Sequence, residues 1–192
     1  MTYRTPKYNL RALLSICVTG HRPDKLGGYD AANPLRRAIR EEFKERLLCL
    51  VGAHLLEAGS AECEVYCGMA QGFDQDAACA CIQADVPFVA CVPFAGQELV
   101  WTPEAQRDYR LILSRAKRVE VLAQKPATRT AAVSLLYVRN HFMIESCDVV
   151  VACWNGTFGG TYETVKYAQR LGKPLHVIDP RALANREDNR GN

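Results

Sequence analysis

The chain has 192 residues, 48% of them hydrophobic, 23% charged and 8% aromatic, which suits one α/β domain with a sizeable core and excludes a disordered or low-complexity chain. Its 24 Lys and Arg against 21 Asp and Glu leave a net charge of +3. That excess is too small to point by itself to a phosphate backbone, so nucleic acid is not the expected partner.

Short apolar runs alternate with longer helical patterns, the signature of βα units around a mostly parallel sheet. Leu13 to Val18 reads as the first strand. A long helix is expected from about Pro34, whose ring suits a first-turn position, to about Ala58, with Gly59 as its stop. Glu64 to Cys67 reads as a second strand and Asp74 to Ala84 as a second helix. Val86 to Val92 is a third strand with Pro87 near its beginning. Thr102 caps a helix that Pro103 opens and that runs to about Ala116. Arg118 to Leu122 is a fourth strand, followed by a polar linker from Ala123 to Thr130 and a helix from about Ala131 to Glu145. Asp148 to Cys153 is the most strand-like run, Gly160 to Arg170 a helix and Pro174 to Ile178 a last strand. The polar tail from Arg181 is expected to fray. Nothing divides the chain, so residues 1–192 read as a single Rossmann-like α/β domain with its core at about 13–180.

The longest nearly apolar stretch, Leu47 to Leu56, is broken by Gly52 and His54 and falls short of the ~20 residues that cross a bilayer. Met1 to Tyr8 is polar and lacks the apolar centre of a secretory signal, so a cytoplasmic protein is expected. The nine cysteines are odd in number and lie mostly among apolar residues. They read as small core hydrophobes in a reducing compartment, and neither a metal site nor a cofactor is expected.

In a parallel sheet the loops that follow the strands gather at one edge, where helix N-termini favour anions. Four glycine-bearing loops fall there: Thr19-Gly20-His21-Arg22-Pro23, Gly68-Met69-Ala70-Gln71-Gly72-Phe73-Asp74, Pro93-Phe94-Ala95-Gly96 and Trp154-Asn155-Gly156-Thr157-Phe158-Gly159-Gly160-Thr161-Tyr162-Glu163. All four are expected to rim one crevice. Gly159 and Gly160 let backbone amides approach a phosphate, and Thr161 adds a hydroxyl. Arg22, Lys25 and Arg139 supply positive charge, His21 a further donor, and Trp154 and Phe94 faces that could stack on a base. Asp74 fits either a site or a helix cap. P-loop, dinucleotide-binding Gly-x-Gly-x-x-Gly, nucleophile-elbow and His-Glu-x-x-His motifs are all missing.

Taken in order, Thr19-Gly20-His21-Arg22-Pro23 with Leu26-Gly27-Gly28-Tyr29, Gly68-Met69-Ala70-x-Gly72-x-Asp74, Val92-Pro93-Phe94 with Trp101, and Asp148 through Trp154 into Gly159-Gly160-Thr161 resemble the YpsA-like branch of the SLOG superfamily. The resemblance implies a Rossmann-like fold whose glycine loops hold a nucleotide or an ADP-ribose-like ligand, often in a homodimer. A binding or sensing protein is therefore expected first. The LOG branch implies a second function, phosphoribohydrolysis, with an arginine and the glutamate of Pro-Gly-Gly-x-Gly-Thr-x-x-Glu. Arg139 stands at the matching distance before Asp148, and Gly160-Thr161 matches the Gly-Thr. The glutamate position is Thr164, while Glu163 comes one residue early, which turns its side chain by about 100° on a helix. Glu163 and Arg139 are nonetheless the catalytic candidates, as carboxylate and phosphate-binding cation. A third alternative implied by the superfamily is single-strand binding as in DprA, which needs a basic groove with stacking aromatics.

Overall fold

The computed structural model describes residues 12–190, so Met1 to Tyr8 and the last two residues of the tail lie outside the described part. Strands and helices alternate as β1 (Leu14–Gly20), α1 (Pro34–Ala58), β2 (Cys63–Cys67), α2 (Phe73–Gln83), β3 (Phe88–Val92) and α3 (Pro103–Leu113). They continue as β4 (Arg118–Val121), α4 (Arg129–Glu145), β5 (Val149–Cys153), α5 (Gly160–Arg170), β6 (Leu175–Ile178) and α6 (Pro180–Arg190). All five strand pairings are parallel, in the order β4-β3-β2-β1-β5-β6, which makes this the expected Rossmann-like α/β fold. From β1 the chain steps outward to β4, then returns through α4 to pair β5 with the free side of β1. The loops after β1 and β5 therefore diverge from neighbouring strands, and the crevice between them is where open α/β sheets receive ligands.

The two-residue period of the strands assigns the two layers. Ile16, Val18, Val65, Cys67 and Val151 face α1, α2, α3 and α6, where Ile39, Phe43, Phe73, Tyr109 and Leu183 complete one core. Cys17, Val89, Cys91 and Val150 face the opposite way, toward Met143 and Ile144 of α4 and Ala168 of α5. Seven of the nine cysteines are buried, and burial pushes the Cys63 and Cys91 thiols up to about 12.

Local signals set the helix limits. Asn33 Oδ1 accepts from the Leu35 amide at 2.9 Å, Pro34 occupies the first turn, and Gly59 ends α1. Thr102 and Thr128 cap α3 and α4 by accepting from the Ala105 and Ala131 amides. The tail departs from expectation: Asp179 Oδ1 accepts from the Arg181 amide at 2.9 Å, Pro180 opens α6, and Leu183 is buried against the core. An Asp-Pro start and one apolar anchor suffice to hold a helix in an otherwise polar stretch.

Glu64 on β2 is buried, yet Arg118 and Lys117 reach it at 2.7 and 3.0 Å. Burial raises its pKa, but the hydrogen bonds from Arg118 and Lys117 outweigh this and leave the carboxyl below its ordinary value. A lowered folded-state pKa contributes stability that is complete above the unfolded value near ~4.3 and is lost as pH falls through the lower folded value. Glu64→Gln is therefore expected to unfold more easily than wild type at neutral pH, with the difference shrinking toward about pH 3. Urea melts at several pH values check this; a constant difference would refute it.

Candidate functional site

A hollow of about 170 Å³ opens where the loops after β1, β2 and β5 meet the middle of α4. Thr19 and Gly20 form its floor at the end of β1. Ala70 and Asp74 bound it on the α2 side, and Gly160 and Thr161 on the α5 side, because β2 and β5 flank β1. Arg22 and Arg139 also line it.

The floor is built from buried charge. Arg139 is 4% exposed; its Nε donates to Asn140 Oδ1 at 2.8 Å, its Nη1 donates to the Gly68 carbonyl, and Asp74 Oδ2 lies 3.5 Å from Nη1. Asp74 Oδ2 also accepts from the Ala70 amide at 3.3 Å. Burial pushes the Asp74 carboxyl above its ordinary value, against the pull of Arg139 and then Arg22. Burial likewise lowers Arg139, with Asp74 opposing. Nη2 of Arg139 has no hydrogen-bond partner among the described residues. The Thr19 hydroxyl has none either, although Thr19 is 7% exposed. Among the described residues no fully buried side-chain N or O lacks a partner, so both of these atoms are open to solvent, where water or a ligand can pair with them.

The glycines divide into two kinds. A Cβ on Gly20 would stand 2.6 Å from Phe73, and one on Gly68 would collide with Arg139 Nη1 and come within 2.6 Å of Asp74 Oδ2. Gly72, at φ +101°, passes so close to the β1 loop that a Cβ would lie 2.5 Å from the His21 carbonyl. Gly20 and Gly72 let the first two loops interlock, with the Phe73 amide donating to His21 O at 3.2 Å across the same seam, while Gly68 makes room for Arg139 of α4. Gly159 and Gly160 are different, because a Cβ on either would meet nothing within 4 Å. Gly159, at φ +143°, starts α5 with no side-chain cap, leaving the first amides of the helix open.

The remaining candidates lie around this hollow or away from it. His21 and Gly159 line an adjoining hollow with Arg22, Gly160 and Thr161. Met69 is fully buried at φ +62°. Its carbonyl accepts from Gln97 Nε2 at 3.5 Å, so the loop after β3 braces the loop after β2. Pro93 and Phe94 are not among the residues lining either hollow, since β3 stands two strands from β1. The crevice is thus rimmed by three of the four expected loops. Trp154 donates from Nε1 to the Thr157 carbonyl at 2.9 Å and clasps its own loop, Gly156 is exposed at the loop tip, and Glu163 points outward, exposed and outside both hollows. Thr164 is buried, donating to the Gly160 carbonyl at 2.8 Å and accepting from Asn140 Nδ2 at 2.8 Å.

Val133, Leu136 and Tyr137 of α4, absent from the sequence-based candidates, supply an apolar wall. Their i, i+3, i+4 spacing puts them on one helix face, a signal readable in the sequence but identical to that of a core-facing helix. Exposure separates the two cases: Val133 and Tyr137 are 44% and 40% exposed.

The model of the YspA SLOG family matches residues 16–183. The SPbeta prophage-derived protein YoqJ of Bacillus subtilis is 28% identical over 130 residues, spanning 59% of this chain and 74% of YoqJ. Among solved structures, DNA processing protein A (DprA) from Streptococcus pneumoniae superposes with a TM-score of 0.55 at 14% identity, over 87% of this chain. This chain spans half, 50%, of that protein's length. DprA from Helicobacter pylori, in a structure concerned with its single-stranded DNA binding mode, gives a TM-score of 0.54 at 16% identity, covering 86% of this chain and 65% of that one. At such identities these likenesses speak to the fold. No helix among the described residues is long and apolar enough to cross a membrane.

Proposed function

The chain belongs to the YspA SLOG family, and from the hollow at its sheet edge we propose that it binds a phosphorylated ribose compound, a nucleotide or nucleotide derivative, without turning it over. The observation that carries this reading is the opposed polarity of the walls. On the α5 side are uncapped helix amides and the Thr161 hydroxyl, and the Arg22 guanidinium lines the same hollow, all suited to a phosphate. On the α2 side is the Asp74 carboxylate, which repels phosphate and accepts from ribose hydroxyls. The Val133, Leu136 and Tyr137 wall then faces the base.

Binding without turnover is favoured by what stands near Arg139. The residue three after Thr161 is Thr164, its hydroxyl occupied by Gly160 and Asn140, and Glu163 points to solvent. The carboxylate inside the hollow, Asp74, is tied to Arg139 and the Ala70 amide. Calorimetric titration with AMP and ADP tests the proposal: saturable heat supports it and silence with both rejects it. Glu163→Ala is expected to bind as wild type does, and AMP incubated with either protein is expected to release no adenine above the buffer blank. Adenine released by wild type and not by Glu163→Ala would establish a glycosidase instead.

Nucleic acid stays in the test, because the DprA fold is shared and a net charge of +3 does not decide between a free nucleotide and one in a strand. A gel shift with single-stranded oligonucleotide that fades steeply with salt, and no response to free nucleotides, would favour the strand.

A further inference from the structure

A chain of hydrogen bonds runs from the first turn of α5 to Arg139 on α4. Thr164 Oγ1 donates to the Gly160 carbonyl at 2.8 Å, one turn back along its own helix, and accepts from Asn140 Nδ2 at 2.8 Å. Asn140 Oδ1 in turn accepts from Arg139 Nε at 2.8 Å. The two ends fix the direction of this chain, because a carbonyl only accepts and a guanidinium only donates. The Thr164 proton is therefore committed to Gly160 and its lone pairs to Asn140, which leaves the Asn140 amide a single orientation.

The consequence lies at Arg139. Its Nε is held by Asn140 and its Nη1 by the Gly68 carbonyl, with Asp74 Oδ2 3.5 Å from Nη1. A planar group held at two of its nitrogens cannot turn. Nη2, which has no partner among the described residues and is not fully buried, is thus left for the hollow that Arg139 lines. Thr164 itself is 2% exposed and lines neither hollow, so it cannot touch a ligand in either.

Resting on the reading of the hollow as a nucleotide site, we propose that Thr164 is a positioning residue, which acts through Asn140 to lock the Arg139 guanidinium with Nη2 toward the ligand. A donor ordered in advance does not give up side-chain freedom on binding, and that saving appears as affinity. Without the Thr164 hydroxyl, Asn140 Nδ2 loses its acceptor and the amide is free to turn. The turned amide sets Nδ2 against Arg139 Nε, donor against donor, and the guanidinium is released. A packing role alone is met equally well by valine, which has the same branched shape.

The test compares Thr164→Val, which removes the hydroxyl, with Thr164→Ser, which keeps it. The side-chain Nε–H resonance of Arg139 in isotopically labelled protein, assigned by its absence from Arg139→Lys, reports the lock with no ligand present. It is expected to be sharp in wild type, broadened by rotation and solvent exchange in Thr164→Val, and restored in Thr164→Ser. Asn140→Ala, at a half-buried position, cuts the same link from the other side and is expected to match Thr164→Val. In calorimetric titration Thr164→Val is expected to bind AMP about tenfold more weakly than wild type, the contribution of one hydrogen bond to a charged group, and Thr164→Ser to bind as wild type does. An Arg139 signal as sharp in Thr164→Val and Asn140→Ala as in wild type, or equal AMP affinity in Thr164→Val and wild type, overturns the proposal. Silence of wild type toward AMP rejects the nucleotide reading alone, and the Arg139 resonance then decides the lock.

Discussion

Asp76→Ala is expected to destabilise the protein by about 3–5 kcal/mol, the cost of breaking a buried ion pair from one side. Asp76 is 2% exposed and Arg36 5% exposed. Arg36 meets the carboxylate with both arms of its fork, Nε to Oδ2 and Nη2 to Oδ1 at 2.9 Å each. Arg40 adds Nη1 to Oδ1, also at 2.9 Å. The same guanidiniums donate to the Tyr29 and Ala31 carbonyls at 3.2 and 2.9 Å, so the cluster pins the loop that precedes α1 to the α1–α2 seam. Without Asp76 a guanidinium stays buried with no counter-charge. For a chain of this length the loss amounts to a fall of roughly 10 °C in melting temperature. Asp76→Asn keeps the volume and one acceptor and is expected to fall between the two. Thermal melts of the three proteins check the order, and an alanine variant that melts within a degree or two of wild type would contradict the account of the seam.

Gly160→Ala is expected to do the reverse, weakening nucleotide binding strongly while leaving the fold intact. A Cβ at this position meets no protein atom within 4 Å, and Gly160 sits at the first position of α5, where alanine is the better helix former. The melting temperature should hold or rise slightly. Gly160 lines both hollows, and a methyl added there is expected to hinder the approach of phosphate oxygens to the first amides of α5. Loss of at least one charge-assisted hydrogen bond, with steric exclusion, weakens binding by about a hundredfold. Gly68→Ala would give no such separation, because its Cβ collides with Arg139 and the protein itself is disturbed. Unchanged affinity in Gly160→Ala would place the ligand elsewhere.

The legibility of this fold follows from how local its signals are. Asn33-Pro34, Thr102-Pro103 and Gly59 mark helix ends through contacts within a few residues, and the structure places those ends as the sequence reads. Asp179-Pro180 carries the same kind of signal but sits in a stretch so polar that composition masked it. The candidate site was legible as a set of loops and not as a set of roles. Gly20, Gly68 and Gly72 look in sequence like phosphate-binding glycines, yet the atoms that press against them belong to Phe73, Arg139 and His21, far away in the chain. Only the three-dimensional approach of α2 and α4 to β1 reveals this. The loop after β3 looked equivalent to the others because sequence shows that a loop follows a strand and not how far that strand lies from β1.

Amide chemical shifts of isotopically labelled protein titrated with ADP address the central claim most directly. The hollow at the C-terminal edge of β1 predicts saturable shifts at Gly20, Ala70, Gly160 and Thr161. The wider hollow at the opposite edge, lined by Leu13, His54 and His176, should stay silent. Shifts confined to that opposite edge, or no saturable shift at all, would contradict the account.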